Sequence, residues 1–305
     1  MINQISIDIC ILTFKRPKEI VECLLSVIRA YEYYHTKTRI KPKITITVRE
    51  QSAGSSITQK LLDLIKSHDY IDLIREDDLG FQKTTLDFYW NFQAEYGWFI
   101  ADDDIIEETA IKTVIDELTV SRPTIAMFNY DIFKKERHKI KIHKALGKRR
   151  LVLNKFQWLE MFHIHPAMPS NVLLKRDTLR KDIKLDEQLL STEWAGLYIQ
   201  YASFDKTFKG VFSPKIIAGY RANNALQNYN WDYVFAKSVP ELLRTLEIEN
   251  YPKSSINKAL RKTFLRYILP EIFYCTVKLR FKVSRLNYFY KNYLGKSILQ
   301  IEYHE

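Results

Sequence analysis

The chain has 305 residues, of which 46% are hydrophobic and 13% aromatic, and it contains only eight glycines. This composition excludes collagen-like and low-complexity proteins, argues against extensive disorder, and leaves room for one large domain with an appendage. The formal net charge of +11 is compatible with a nucleic-acid partner, but this interpretation depends on where the basic residues lie in the chain.

The cysteines and the apolar stretches bear on the cellular compartment in which the protein is expected. Cys10, Cys23 and Cys275 are scattered and have neither metal-ligand spacing nor the pattern of a disulfide framework. We find no signal peptide and no apolar stretch long enough to span a bilayer. We therefore expect a cytoplasmic protein whose cysteines are reduced.

Strands and helices are predicted to alternate over the first 130 residues. The strands are expected at residues 5–13, 43–48, 70–75 and 98–101, and the helices at residues 17–30, 56–66 and 81–93. Short connections between such elements are typical of an α/β fold with a mostly parallel, doubly wound sheet. Ligands of these sheets bind beyond the carboxyl ends of the strands.

The fourth predicted strand ends in three adjacent carboxylates, Asp102, Asp103 and Asp104. Because like charges at one sheet edge repel each other, a compensating positive charge is needed, and Mg²⁺ or Mn²⁺ suits oxygen ligands. Alternatively, Asp104 caps the next helix, which accounts for one acid but hardly for three. The triplet therefore predicts a metal site.

Beyond the acids the alternation loosens. The predicted elements are a helix to residue 118, strands at 124–130, 171–174 and 210–220, and helices at 154–162, within 186–202, at 230–247 and at 253–294. We divide the chain into a domain at 1–228, with halves at 1–130 and 131–228, and a helical C-terminal extension at 229–305.

The end of the first strand carries a family resemblance. SIDICILTFKRP, residues 6–17, resembles the opening of inverting family 2 glycosyltransferases, a hydrophobic strand followed by Pro-Thr-Tyr-Asn-Arg. Thr13 and Arg16 match that pattern, whereas Leu12 and Phe14 replace its proline and tyrosine. The resemblance implies that these four residues bind the nucleotide-sugar donor.

Three later segments resemble the same family in the same order. VREQS, residues 48–52, falls where the family has an acid that binds the base, a role implied for Glu50. DDLGFQKTT, residues 77–85, is similar to the family's Asn-x-Gly turn and offers Lys83 as a phosphate-binding cation. FIADDDII, residues 99–106, looks like the metal-binding Asp-x-Asp.

Together these segments imply the Rossmann-like GT-A fold and its chemistry. Asp104 and Asp102 would bind Mn²⁺ or Mg²⁺, and Asp102 and Asp103 would contact the ribose or a metal-bound water. The cation stabilises the diphosphate as it leaves. The implied donor is a nucleotide-diphosphate sugar, with UDP-sugar favoured.

The second half supplies candidates for the acceptor side. LDEQLLSTEWAG, residues 185–196, resembles the family segment that carries the catalytic base, which implies this role for Glu193. Trp194 is a candidate for stacking on the acceptor sugar, and Ser170 and Asn171 for binding its hydroxyls. Arg221 is a candidate phosphate partner. Packing, capping or a surface ion pair would explain these four residues equally simply.

Some neighbouring residues favour structural interpretations. His163 and His165 alternate in sequence like a metal pair, but without further ligands a packing role is favoured. Asp186 and Glu187 match the family segment, yet helix capping or solvation is the simpler account of both.

Most of the positive charge lies in two segments. Residues 253–296 carry a net charge of +10 and residues 134–150 carry +8, which leaves the remainder acidic. The first segment mixes basic and aromatic residues on predicted helices, which suits contact with an anionic membrane surface. The alternative is helices packed on the domain with lysines that extend to solvent.

The favoured function is metal-dependent, inverting transfer of a sugar from a nucleotide-diphosphate donor to a growing bacterial surface glycan. The acceptor would be a glycan or lipid-linked glycan of the O-antigen, capsule or lipooligosaccharide type. We expect the enzyme on the inner face of the plasma membrane, without a nucleic-acid partner. A nucleotidyltransferase is disfavoured because no glycine-rich loop follows the first strand, while a nucleic-acid-binding protein or a scaffold on a degenerate GT-A domain remains an alternative.

Overall fold

The computed structural model describes residues 5–38, 42–133, 146–183, 185, 194–221, 233–270, 273 and 293. The strands in these residues are β1 Ser6–Thr13, β2 Lys43–Glu50, β3 Ile71–Arg75, β4 Tyr96–Ala101, β5 Ile105–Ile106, β6 Ile125–Phe133, β7 Leu151–Leu153, β8 Val172–Lys175 and β9 Gly210–Arg221. The helices are α1 Glu19–Lys37, α2 Gln59–Lys66, α3 Phe81–Asn91, α4 Ala110–Ser121, α5 Lys155–Phe162, α6 Ala195–Ser203, α7 Val239–Thr245 and α8 Lys253–Thr263.

The described strands form one sheet in the order β3-β2-β1-β4-β8-β6-β9-β5, with β7 paired to β9. The strands β1, β2, β3, β4, β6 and β9 run in one direction, whereas β5, β7 and β8 oppose their neighbours. The sheet is thus mostly parallel, as the alternating pattern predicts. Because β1 and β4 are adjacent, the end of the first strand lies next to the aspartate triplet.

Helices cover both faces of the sheet, which makes the fold doubly wound. On one face, α1, α2 and α4 bury apolar side chains against β1 and β4. On the other face, α3, α5, α6, α7 and α8 share a second apolar cluster. Burial on both faces explains the nearly continuous apolar sequences of the central strands.

Several elements extend beyond their predicted ends. Helix α1 continues to Lys37, because Tyr34 in its last turns is 2% exposed and packs in the core. Strand β6 continues to Phe133, which is 1% exposed. Of the helix predicted within 186–202, the structure describes Ala195–Ser203, and residues 186–193 lie outside the described part.

The C-terminal helices pack on the sheet domain. Helices α7 and α8 bury Leu242, Leu243 and Leu260 in the apolar cluster that also contains α5. Glu160 on α5 accepts hydrogen bonds from Ser255 Oγ at 2.7 Å and Lys258 Nζ at 3.2 Å. The alternative of helices packed on the domain therefore describes α7 and α8.

No helix within the described residues combines the length and the apolar character needed to cross a membrane. Helix α8 continues into a turn of π-helix at Phe264–Ile268, and another π-helical segment, Tyr233–Ser238, precedes α7. Most of the basic loop at 134–150, namely residues 134–145, and most of the tail beyond residue 270 lie outside the described part.

Candidate active site at the carboxyl edge of the sheet

The carboxyl ends of β1, β4 and β9 surround a cavity of about 650 Å³. Leu12 is in register with Ala101, so the residues that follow β1 and β4 meet at this edge. The residues around the cavity are Leu12, Phe14, Arg16, Gln51, Asp78, Gly80, Phe81, Phe99, Ala101, Asp102, Asp103, Asp104, Ile164, His165, Ala167, Met168, Pro169, Trp194, Tyr220, Arg221, Phe235 and Tyr267. The aspartate triplet thus faces this cavity.

Arg16 bridges two of the three aspartates. Its Nη1 atom lies 2.9 Å from Oδ1 of Asp102 and 2.9 Å from Oδ2 of Asp103. The chain turns back after β1 through Lys15, whose φ of 55° is unusual for a side chain with a Cβ, and this turn brings Arg16 over the acids. The positive charge that the triplet requires is therefore supplied in part by the protein itself.

Asp104 is the most enclosed of the three acids. Its Oδ2 accepts a hydrogen bond of 2.6 Å from Ser170 Oγ, and its carboxylate also accepts the backbone N–H of Arg221. Burial raises the pKa of Asp104 well above its usual value, and the neighbouring Asp103 charge raises it further. The next residues form β5 and α4 begins only at Ala110, so the interpretation of Asp104 as a helix cap is wrong.

Asp102 retains an unsatisfied oxygen. Burial raises its pKa to about 6, although the charge of Arg16 opposes this shift. The Thr13 hydroxyl lies close enough to the Asp102 carboxylate to lower its pKa, but neither Thr13 Oγ1 nor Asp102 Oδ2 makes a hydrogen bond of normal geometry. An orphaned carboxylate oxygen beside other acids is a position where a bound cation would remove an electrostatic penalty.

The triplet fits a cation that is shared with a ligand rather than enclosed by protein. The described residues contain no group of three His, Cys, Asp or Glu side chains that could hold a metal ion together. Mg²⁺ commonly uses one or two carboxylates and completes its shell with phosphates and water. Asp102 and Asp104 fit such a partial set, because the three acids outnumber the nearby guanidiniums of Arg16 and Arg221, and Arg221 is itself paired with Glu22.

Arg221 closes the opposite side of the triplet. Its Nε donates to the backbone carbonyl of Asp103 at 3.1 Å, and its Nη2 lies 2.5 Å from Oε2 of Glu22 on α1. The guanidinium also stacks over the ring of Phe133 at 4.9 Å. Arg16 and Arg221 therefore place two cations at the acidic wall of the cavity, where a diphosphate would bind.

Glu50 lies at a second, more polar cavity of about 400 Å³, together with Ala53, Gly54, Arg75, Glu76 and Asp77. Its carboxylate accepts hydrogen bonds from the backbone N–H groups of Ser52 and Gly54, both at 2.8 Å, and from the Ser52 hydroxyl. Burial alone would raise the pKa of Glu50, but these hydrogen bonds lower it below its usual value. Glu50 is therefore an ionised acceptor beside the main cavity.

Besides Thr13, which is fully buried, three more predicted site residues line neither cavity. Lys83 is exposed on α3 and is not among the residues that line either cavity. Ser170 and Asn171 are fully buried. Ser170 Oγ bonds Asp104 and accepts the N–H of Ala101 at 3.0 Å, and Asn171 Nδ2 donates to the carbonyl of Phe128 at 2.6 Å. These contacts are structural, and the donor and acceptor roles of the three residues stay predictions.

The wall opposite the acids is aromatic. Trp194 contacts Phe235 edge to face with ring centroids 6.1 Å apart, and Phe235 stacks on Tyr267 at 5.7 Å. The hydroxyl of Tyr267 is 3.1 Å from Nε2 of His165. Phe235 and Tyr267 belong to the predicted extension at 229–305, so this extension helps to build the cavity.

The two histidines are buried packing residues, as the sequence favours. Burial lowers the pKa of His163 to about 3, and the charges of Arg266 and Lys262 add to this shift. Burial likewise lowers the pKa of His165 well below its usual value, so both rings are neutral at physiological pH. Only His165 reaches the cavity.

Sequence reasoning missed part of the site. Tyr220, Phe235 and Tyr267 line the cavity without belonging to any motif, because the packing of segments distant in sequence places them there. Gln51 also lines the cavity and lies inside the segment VREQS, where only Glu50 had been assigned a role. The predicted base Glu193, like Asp186 and Glu187, lies outside the described residues, and its role stays a prediction.

The chain is similar to known proteins in its three-dimensional structure but not detectably in its sequence. No protein-family model and no curated protein sequence matches the chain. A crystal structure of S. aureus TarS, residues 1–349, superposes with a TM-score of 0.63 at 14% identity, covering 95% of this chain and 79% of that one.

Two ligand complexes of TarS match equally well. The complex with UDP gives a TM-score of 0.64 at 13% identity and covers 94% of this chain and 81% of that one. The complex with UDP-GlcNAc gives a TM-score of 0.62 at 13% identity, with coverage of 94% and 79%. At these identities the likeness establishes the architecture, and the chain has the α/β GT-A fold that its strand ends predict.

Proposed function

We propose that this protein is a metal-dependent, inverting glycosyltransferase that uses a nucleotide-diphosphate sugar, with UDP-sugars favoured. The observation that carries the proposal is the buried excess of carboxylates beside a cleft, with Arg16 as the counter-ion of Asp102 and Asp103. The crystal structures of TarS with UDP and with UDP-GlcNAc support the same class of donor.

Each wall of the cleft has a role in this proposal. Asp104 and Asp102 hold Mn²⁺ or Mg²⁺, and the bound cation would stabilise the negative charge of the leaving diphosphate. Arg16 and Arg221 bind the phosphates, while Glu50 binds the base in the adjoining cavity. Asp103, with Asp102, contacts the ribose or a metal-bound water, and the buried Thr13 supports the donor site from beneath the cleft.

The acceptor binds on the aromatic side. Trp194 presents a ring on which a sugar can stack, and Glu193, its neighbour in sequence, takes the proton from the attacking hydroxyl. Attack from the side opposite the diphosphate inverts the anomeric centre. We propose a growing surface glycan, free or lipid-linked, as the acceptor class, and a cytoplasmic location at the inner face of the plasma membrane.

The first test is donor binding. The thermal unfolding of the full chain is measured with UDP, UDP-GlcNAc, UDP-glucose and GDP-mannose, each with and without Mn²⁺ or Mg²⁺. We expect stabilisation that requires both the nucleotide and the cation. The proposal would be contradicted if none of the four nucleotides raised the melting temperature in the presence of either cation.

Matched variants test which residues are responsible for donor binding and for sugar transfer. Asp104→Asn should lose the cation-dependent part of donor binding, whereas Asp116→Asn, at an exposed surface pair with Lys112, should retain it. Glu193→Gln should bind donor normally and lose sugar transfer. Full transfer by Glu193→Gln would remove this residue as the base.

A further inference from the structure

Three large apolar side chains are exposed in the segment that follows α8. Leu265 is 49% exposed, Leu269 is 45% exposed and Phe273 is 70% exposed. Leu265 and Leu269 are four residues apart and lie near each other along one side of the helical backbone, and Phe273 follows in the sequence at the same spacing. The buried side of the same segment carries Ile256, Leu260, Phe264 and Ile268 and packs on the domain.

Basic residues accompany these apolar side chains. Arg261, Lys262 and Arg266 are exposed in the same turns, and Lys258, whose side chain is 61% exposed and pairs with Glu160 at 3.2 Å, lies one turn before them. A solvent-facing helical surface is ordinarily polar, whereas this one combines half-exposed leucines with cations. Such a combination is characteristic of helices that lie in the plane of a bilayer surface.

We propose that this face, comprising Lys258, Arg261, Lys262, Leu265, Arg266, Leu269 and Phe273 and here called the basic-apolar face, docks on the surface of an anionic bilayer. The apolar side chains enter the boundary between headgroups and acyl chains, and the cations remain at the level of the lipid phosphates. The sequence predicted membrane contact for the whole segment 253–296, and this proposal assigns the contact to the seven residues of the basic-apolar face.

Charge alone does not account for this face. A polyanion such as a nucleic acid would be bound by the four cations, but it would leave Leu265, Leu269 and Phe273 in water. Large exposed apolar side chains gain free energy where they leave water for an apolar phase, and the adjacent cations gain free energy at an anionic surface. The bilayer is therefore the occupant to which both properties are complementary.

The face adjoins the candidate active site. Tyr267 stands between Leu265 and Leu269 in sequence, and its side chain lines the cavity and contacts His165. One short segment thus has residues in the proposed membrane contact and a residue in the aromatic wall. If the proposed function holds, docking brings the acceptor side of the cavity to a membrane that carries lipid-linked glycans.

The experiment measures co-sedimentation of the full chain with vesicles of phosphatidylcholine alone or mixed with phosphatidylglycerol. We expect binding to the anionic vesicles that weakens as salt is added. Leu265→Ser/Phe273→Ser should weaken this binding about tenfold, since two exposed apolar side chains no longer enter the lipid. Arg261→Ala/Lys262→Ala should weaken it about 25-fold, at roughly fivefold for each charge.

The control removes apolar groups elsewhere. Val120 and Ile248 are 81% and 77% exposed and lie outside the basic-apolar face, so Val120→Ser/Ile248→Ser should bind vesicles as the unaltered chain does. If the double variant of the face does not fold, the single variant Leu265→Ser replaces it, with a threefold loss expected.

Three results would overturn the proposal. The first is no binding of the unaltered chain to anionic vesicles, and the second is an equal loss in the control variant. The third is a loss with the basic substitutions but none with the apolar ones, which would indicate a polyanion partner. Because donor binding is measured separately and without vesicles, failure of the glycosyltransferase proposal and failure of docking give different results.

Discussion

Replacing Arg16 by glutamine removes the cation that lies 2.9 Å from both Asp102 and Asp103. Breaking a buried ion pair typically costs 3–5 kcal/mol, because the remaining charge stays buried. The carboxylates are 6% and 10% exposed but the Arg16 side chain is 34% exposed, so solvent screening reduces the expected loss. We expect Arg16→Gln to lower the free energy of unfolding by about 2 kcal/mol in the absence of metal.

The same substitution should strengthen cation binding. In the donor-free protein the guanidinium and a divalent ion compete for the Asp102 carboxylate, and their positive charges repel each other. Two unit charges about 4 Å apart interact by roughly 4 kcal/mol at an effective dielectric constant near 20. Even if solvent and rearrangement of Arg16 remove most of this repulsion, about 1.4 kcal/mol remains, and Mn²⁺ should bind about tenfold more tightly to Arg16→Gln.

The assay combines urea unfolding with Mn²⁺ titration followed by electron paramagnetic resonance, both without nucleotide. Mn²⁺ should restore more stability to Arg16→Gln than it adds to the unaltered chain. Arg180→Gln is the matched control, because Arg180 pairs with Asp182 at 3.0 Å on the surface, and it should leave Mn²⁺ binding unchanged. Equal Mn²⁺ affinity of the unaltered chain and Arg16→Gln would refute the competition.

Further predictions concern pH, the support of Asp104, and packing. The pKa of Asp102 in the folded state is raised to about 6, so the folded state binds the Asp102 proton more tightly than the unfolded state does. As the pH rises from 4 to 6, the free energy of unfolding of the unaltered chain, relative to that of Asp102→Asn, should therefore fall by up to roughly 3 kcal/mol. Urea unfolding at each pH measures this difference. Mn²⁺ affinity should rise over the same range, since the ionised carboxylate is the ligand, and a flat profile would exclude Asp102. Ser170→Ala removes the 2.6 Å donor to Asp104 and the acceptor of the Ala101 N–H, and should cost about 2 kcal/mol in urea unfolding; an unchanged midpoint would mean that water replaces the hydroxyl. Gly210→Ala would place a Cβ 2.3 Å from Cε3 of Trp158, so a lower melting temperature and a loss of about 1–3 kcal/mol are expected, whereas unaltered stability would show that the indole can move.

The sequence by itself determined the elements of the first half and the position of the acids. Strand and helix periods are local properties, so β1, β2, β3 and β4 could be placed from apolar runs and their polar ends. The rule that ligands meet the carboxyl ends of parallel strands indicated that the polar residues after these strands belong to one site. In the structure Arg16, after β1, lies 2.9 Å from Asp102, after β4.

Only the tertiary structure decided what surrounds the acids. Ser170 reaches Asp104 across 66 residues of sequence, and Arg221 reaches Asp103 across 118. Phe235 and Tyr267 enter the cavity because α7 and α8 bury their apolar sides against α5 rather than standing apart. Such contacts depend on the summed packing of distant segments, and no local period in the sequence records which partners that packing selects.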